Sequence, residues 1–264
     1  MRKVILPVVI ALFMFASCVS APRYGVRDGV ERIGIISAMS NEMKLLLDNA
    51  DIDHVDRVGG FEFNVGKLKG KDVVIVKAGV GKVLSAAAAA TLANNYRVVD
   101  AIFTGIAGGV GDKTNVLDVV VASELVQHDY GTMTRNEGFI WWPTENADDN
   151  GFYQCDYKLA DIACESATEI MGSSRVFRGR IATGDQFIAS ESYVRELQDK
   201  FDALACEMEG AAVASVCKQY NIPIVVIRCM SDKADGLARE SISNMGDIAA
   251  DNSSRIVMRM LDKM

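Results

Sequence analysis

Three acids in this chain follow apolar runs of strand length, and they are the residues best placed to do chemistry. Glu42 comes after Ile33-Gly34-Ile35-Ile36-Ser37-Ala38-Met39. Glu209 ends the stretch Ala205-Cys206-Glu207-Met208-Glu209, and Ser231-Asp232 follows Val225-Val226-Ile227-Arg228-Cys229-Met230. In a parallel α/β sheet the ligand crevice lies outside the carboxyl ends of the strands, so acids there face a substrate. Carboxyl groups of differing burial around one crevice can divide the work, one keeping its proton as acid and another staying ionised as base. That chemistry suits a neutral, hydroxylated substrate and needs no metal. The chain has only two histidines, His54 and His128, and no C-x-x-C among its six cysteines, so no zinc-ligand spacing stands out.

The elements that must position these acids alternate between strand-length apolar runs and longer segments of helical pattern, which is the α/β signature. Strands are expected at Ile33 to Ser37, Phe61 to Leu68, Val73 to Ala78, Ala101 to Thr104, Val119 to Val126, Val176 to Ala182, Ala203 to Cys206 and Ile224 to Met230. Helices are expected at Asn41 to Asn49, Lys82 to Asn94, Lys158 to Met171, Ser192 to Asp199, Gly210 to Tyr220 and Asp247 to Lys263. Continuously apolar strands imply burial on both faces, hence a three-layer sandwich with a central β-sheet flanked by helices. The turn Gly66-Lys67-Leu68-Lys69-Gly70-Lys71 makes part of that sheet antiparallel, so the sheet is mixed. Between Asp129 and Asn150 no period emerges, and Trp141-Trp142-Pro143 in that loop is read as an interface or substrate contact, with a groove of the same subunit as the alternative.

The 264 residues carry a formal charge of −7 and are 50% hydrophobic, which allows one large domain and argues against nucleic-acid partners. Arg2 and Lys3 precede an apolar stretch from Val4 to Phe15, too short to span a bilayer and suited to a signal-peptide core. Phe15-Ala16-Ser17-Cys18 resembles a bacterial lipoprotein box, which makes Cys18 a lipidation site. The expected organisation is a signal peptide over 1–18, a linker over 19–31 and a single domain over 32–264, exported and held at a membrane by the lipid. Secretion after Ala21 is the alternative. The five remaining cysteines, Cys155, Cys164, Cys206, Cys217 and Cys229, are odd in number and read as structural.

Two glycine clusters also follow strands: Ala78-Gly79-Val80-Gly81-Lys82 and Thr104-Gly105-Ile106-Ala107-Gly108-Gly109. Neither fits a dinucleotide fingerprint or a Walker loop, so no cofactor is implied. The order of motifs is more specific than any one of them. Met39 leading to Glu42, then G-V-G-K-V, T-G-I-A-G-G, Thr183-Gly184-Asp185-Gln186-Phe187-Ile188, Glu207-Met208-Glu209 and Ser231-Asp232-Lys233-Ala234-Asp235 together resemble the methylthioadenosine/S-adenosylhomocysteine nucleosidases of the nucleoside phosphorylase superfamily. The resemblance spans Arg32 to the C-terminus. It implies hydrolysis of the N-glycosidic bond of 5′-thioadenosines, releasing adenine and a 5-thioribose. By the same resemblance Asp232 is the acid that protonates adenine N7, Ser231 orients it, Glu42 activates water and Glu209 binds the ribose hydroxyls. Met208 and Met39 would contact the sugar and thioalkyl group, Phe187 would stack on adenine, the Ile188 backbone would read its edge, and Ala107 and Gly108 would lie under the ligand. A homodimer is implied too, with Trp141 and Trp142 as candidate contacts and an apolar strip including Met245, Ile248 and Ile256 as either interface or core.

Each of these residues has a plainer reading. Asp232 and Glu209 could cap helices, Glu42 could be a first-turn helix acid, and Phe187 and Met208 could be core. Ile106 stands where the family often has Ser, and the segment after Gln127 does not align securely. The rival functions are a purine nucleoside phosphorylase on the same scaffold, disfavoured because a carboxylate in the nucleophile region repels phosphate, and a lipid-anchored nucleoside-binding protein or adhesin on an inactive fold.

Overall fold

Apolar residues at consecutive strand positions need cover on both faces, and the structure, a computed structural model, supplies it with helices on either side of one mixed sheet. It describes residues 28–148 and 150–264. The expected signal peptide, Cys18 and most of the expected linker therefore lie outside the described residues. Among those described, no helix is long and apolar enough to cross a membrane.

The order of elements is β1 (Glu31–Ser37), α1 (Ser40–Asp48), β2 (Asp51–Val58), β3 (Phe61–Leu68), β4 (Lys71–Lys77), α2 (Lys82–Asn95), β5 (Arg97–Gly109), β6 (Val119–Gln127), β7 (Gly131–Thr134), β8 (Gly138–Trp141), β9 (Tyr153–Gln154), α3 (Tyr157–Met171), β10 (Val176–Thr183), α4 (Glu191–Phe201), β11 (Ala203–Glu207), α5 (Gly210–Tyr220), β12 (Ile224–Asp232) and α6 (Ala238–Leu261). The main sheet runs β11-β10-β6-β12-β5-β1-β4-β3-β2, with β9 beside β6. Alternate residues of one strand feed opposite layers. Ile33, Ile35, Val73 and Ile75 join Met43, Leu46, Ala160, Ile256 and Met260 on the face of α1, α3 and α6. Ile36, Val74, Val76 and Phe103 join Ala88, Leu92, Val213 and Cys217 on the face of α2 and α5.

Two departures from a plain open sheet shape the site. The end of β5, still parallel to β12 up to Gly108 opposite Asp232, also pairs antiparallel with β11, Gly109 opposite Ala205 and Gly108 opposite Cys206, so the sheet curls closed at that corner. In β12 the register with β5 shifts between Met230 and Asp232, which leaves Ser231 as a bulge. Bulges re-aim side chains, and here Ser231 and Asp232 come into mutual contact although neighbours in a regular strand point to opposite faces.

Several boundaries differ from those expected. β2 was not anticipated: its sequence DIDHVDRV is polar, and it is mostly exposed at the sheet edge, where charge protects against further pairing. The glycine segment Thr104 to Gly109 lies inside β5 rather than after it, and Ser231-Asp232 lies inside β12. α6 begins at Ala238, nine residues before Asp247, across serines and a glycine that lower intrinsic helicity. The uneven loop after Gln127 contains the hairpin β7–β8.

Candidate active site

The side chains singled out by the sequence converge at the carboxyl ends of β1, β5, β10, β11 and β12, where a cavity of ≈ 240 Å³ opens. Met39, Glu42, Ala107, Gly108, Phe187, Ile188, Met208, Glu209, Ser231 and Asp232 all line it.

Glu42 sits in the first turn of α1 and is buried. Its Oε2 accepts from the Ala38 amide at 2.9 Å and the Met39 amide at 2.8 Å, while Oε1 accepts from the Ile106 amide at 2.9 Å. The helix-cap reading is thus correct for one oxygen, yet the other reaches across to β5. A carboxylate offers about four lone-pair positions, so with three donors Oε1 retains one. The bond uses the backbone of residue 106, which explains why Ile can stand there. Ser254 Oγ on α6 donates to the Glu42 carbonyl at 2.7 Å and fixes the turn from behind.

Glu209 ends the β11–α5 connection and is buried. Its Oε1 accepts from the Gly81 amide at 2.9 Å, and its Oε2 lies 3.4 Å from an Arg228 guanidinium nitrogen. Asp232 is also buried. Its Oδ2 accepts from Ser231 Oγ at 2.7 Å and its Oδ1 from the Ala234 amide at 2.7 Å.

Arg228 was missed in the sequence, although a lone cation inside the run Val225 to Met230 signals it. It is fully buried with its guanidinium over the Phe103 ring, 4.3 Å from the centroid, and it pairs with Glu207 as well as Glu209. Glu207 in turn accepts from the Glu209 amide at 3.1 Å, the Gly210 amide at 2.7 Å and the Thr183 hydroxyl. Gly105 is glycine for space: a Cβ there would meet an Arg228 nitrogen at 2.3 Å and Glu42 Oε1 at 2.4 Å. At Gly108 a Cβ would meet Ala234 at 2.9 Å and Asp232 Oδ1 at 3.0 Å. The second glycine cluster therefore makes room for the charged groups.

Burial raises the Glu209 carboxyl to about 7, with repulsion from Glu207 adding to it and Arg228 and the Gly81 amide opposing. Burial also raises Glu42, against Arg228 and its three amide donors. Asp232 is raised by burial, opposed by Ser231 and the Ala234 amide. A proton on Asp232 near neutral pH is what an acid at this position requires.

Other expectations resolve differently. Trp141 packs inside its own subunit, 5.4 Å from the Phe201 ring and 6.4 Å from Phe152, with its indole nitrogen donating to the Gln127 carbonyl at 2.8 Å. Trp141 thus fills a groove of its own subunit while staying half-buried. Trp142 is 50% exposed. Ile256 is core, whereas Ile248 is exposed. The cavity also takes in Val80, Cys206 and Gln186, which lie within the quoted segments but were assigned no role, and Ile242, which carried no motif signal.

A sequence profile described as the phosphorylase superfamily matches residues 32–262. A 5′-methylthioadenosine/S-adenosylhomocysteine nucleosidase of Bacillus thuringiensis (strain Al Hakam) is 36% identical over 234 residues, covering 88% of this chain and 99% of the relative. The chain belongs to this nucleosidase family. Among solved structures, the Neisseria meningitidis nucleosidase in complex with methylthio-immucillin-A superposes with a TM-score of 0.80 at 32% identity, over 89% of this chain and 100% of that one. Futalosine hydrolase of Helicobacter pylori strain 26695 gives 0.79 at 32% identity, over 89% and 99%. The mixed, helix-flanked sheet is that of these structures, and within it Glu42, Glu209 and Asp232 line one cavity.

Proposed function

We propose that this protein hydrolyses the N-glycosidic bond of 5′-methylthioadenosine and S-adenosylhomocysteine, releasing adenine and the 5-thioribose. The observation that carries the reading is the convergence of Glu42, Glu209 and Asp232 on one cavity. Adenine is a poor leaving group until N7 is protonated. Asp232, raised by burial and held by Ser231, is suited to give that proton. Bond cleavage leaves positive charge on the ribose ring, and Glu209 supplies a carboxylate that binds the hydroxyls and favours this charge. Glu42 uses its remaining lone-pair position to hold and deprotonate the attacking water. An acid and a base on opposite sides of a cationic sugar is the logic of inverting glycoside hydrolysis. Phe187 is 43% exposed at the cavity and free to stack on the purine, with the Ile188 backbone at its edge. Met39 and Met208 flank the sugar, and Ala107 and Gly108 form the floor.

Hydrolysis is favoured over phosphorolysis by the local charge. Among the described residues lining or backing the cavity, the buried cation Arg228 already faces Glu207, Glu209 and Glu42. Phosphate would enter a net negative field, whereas water would not be repelled. The test is adenine release from both thioadenosines, with and without phosphate, beside Asp232→Asn. We expect a phosphate-independent rate and a loss of about 10²–10⁴-fold in the folded variant. Wild-type rates in that variant would remove Asp232 from the mechanism, and stoichiometric binding without adenine release would make the protein a nucleoside receptor.

A homodimer and a lipid anchor complete the reading. Val83 and Leu84 at the start of α2 are 78% and 49% exposed, and Val80 opens into the cavity, which supports a partner subunit at its mouth. Sedimentation that gives only monomer would refute it. The Cys18 box supports acylation, and labelled palmitate that fails to enter the wild-type protein in cells would refute that.

A further inference from the structure

Three turns at the rim of the cavity are tied together by charged hydrogen bonds for which the scheme above has no use. Lys82 opens α2, Asp129 follows β6 and Asp185 follows β10. Lys82 Nζ donates to Asp129 Oδ1 at 2.6 Å and to Gln127 Oε1 at 3.2 Å. The other Asp129 oxygen accepts from the Asp185 amide at 2.8 Å, and Asp185 Oδ1 accepts from the Lys82 amide at 2.8 Å. The set closes on itself. The Lys82 and Asp129 side chains are only 17% and 13% exposed, so the pair is shielded better than the exposed ion pairs that contribute little.

The ring meets the active site at two places. The amides of Gly81 and Lys82 are adjacent orphan donors at a helix N-terminus, and two different carboxylates take them: Glu209 takes Gly81 and Asp185 takes Lys82. Gly81 has φ 96°, with Asp185 Oδ1 3.1 Å from where a Cβ would stand, so its N–H is aimed by a conformation reserved to glycine. On the other side, Asp185 begins the short loop that carries Phe187 and Ile188 over the cavity.

We propose that Lys82, Asp129 and Asp185 are positioning residues of the nucleosidase site, holding the Gly81 amide on Glu209 and the Phe187–Ile188 loop in place before substrate arrives. The inference rests on the function proposed above. Placement of this kind matters because a displacement of about 1 Å can cost about 10²-fold in rate. It is also distinct from a direct effect of charge. Glu209 faces Glu207 on β11, Arg228 on β12, Glu42 on α1 and the Gly81 amide; the buried His128, bonded through Nδ1 to the Tyr193 hydroxyl, lies beside Asp129, and burial lowers its pKa against the Asp129 charge. Removing the negative charge of Asp185 or Asp129 by itself would make Glu209 easier to ionise. Loosening the Gly81 amide would make it harder.

The experiment is the pH dependence of kcat/KM for methylthioadenosine in the full chain carrying Asp185→Ala, Asp129→Ala or Asp185→Asn, with thermal unfolding recorded for each. Positioning predicts a fall of about 10²-fold for the alanine variants, carried in both KM and kcat, with the acidic limb moved to higher pH. Asp185→Asn, which retains an acceptor for the Lys82 amide, recovers most of the loss. An acidic limb moved to lower pH would mean a direct charge effect and overturn the proposal. So would alanine variants that lower Tm yet keep kcat/KM and its pH profile. An inactive wild type would refute the proposed function instead.

Discussion

Glu209 should destabilise the protein it serves. In an unfolded chain its carboxyl titrates near 4.5, while in the folded protein burial and the Glu207 charge raise it to about 7. A raised acid favours folding while protonated: its contribution is complete below the unfolded value and is lost as pH rises through the folded one. At about 1.4 kcal/mol per pH unit, a rise from 4.5 to about 7 places the loss at about 3 kcal/mol above neutral pH. Glu209→Gln keeps an oxygen for the Gly81 amide at 2.9 Å and removes the charge. We therefore expect the variant to be more stable than wild type at pH 8 by up to about 3 kcal/mol, a Tm rise of about 5–10 °C for a domain of this size. The gain should fade toward pH 5, and adenine release should be lost. Calorimetry across pH 5 to 8.5 measures it. A variant less stable than wild type at pH 8, or a difference that does not change with pH, would show that the Arg228 pairing outweighs desolvation and would refute the argument.

Further outcomes follow from the same contacts. The pH–rate profile should carry an acidic limb near 7 from Glu209, and the rate should fall on the alkaline side wherever Asp232, raised by burial, gives up its proton; a profile with no acidic limb near 7 would contradict the assignment of Glu209. Arg228→Met leaves Glu207 and Glu209 without a cation and should cost about 3–5 kcal/mol in urea unfolding at pH 8. Trp141→Ala empties the space between Phe152 and Phe201 and should cost about 3–5 kcal/mol, while Trp142→Ala should leave monomer stability nearly unchanged and be read instead in the oligomeric state. Ile106→Ser should leave kcat within about threefold, because Glu42 is held by the backbone of that residue.

What could be read in advance was set by where each signal resides. Strands buried on both faces announce themselves as unbroken apolar runs, so β1, β11 and β12 and the acids at or just beyond their ends were legible. β2, half-solvated at the sheet edge, carries no such run. Arg228 was visible as a charge in an apolar strand, but its meaning depends on Glu207 and Glu209, which reach it only through the pairing of β12 and β11 around β5. The donors to Glu42 and Glu209 are backbone amides of residues 106 and 81, and an amide leaves no trace in residue type. For the same reason the bulge at Ser231, which turns two adjacent side chains toward each other, was hidden although both residues were named.

The arrangement of charges explains why such an unfavourable cluster is kept. Glu42, Glu207 and Glu209 stand around the buried cation Arg228, so these groups carry more negative charge than Arg228 balances, and burial pushes Glu42 and Glu209 toward protonation. In the resting protein that excess is a cost. In the transition state of glycoside cleavage the sugar becomes cationic beside those carboxylates, and the same fixed charges become complementary to it without any reorganisation. Asp232 lies among hydroxyl and amide donors, which suits the proton delivery proposed for it. In the proposed scheme one sheet corner thus separates a carboxyl that is to remain protonated from two that are to ionise. The separation depends on β12 carrying Arg228 and Asp232 four residues apart, one beneath the glutamates and the other beyond the bulge.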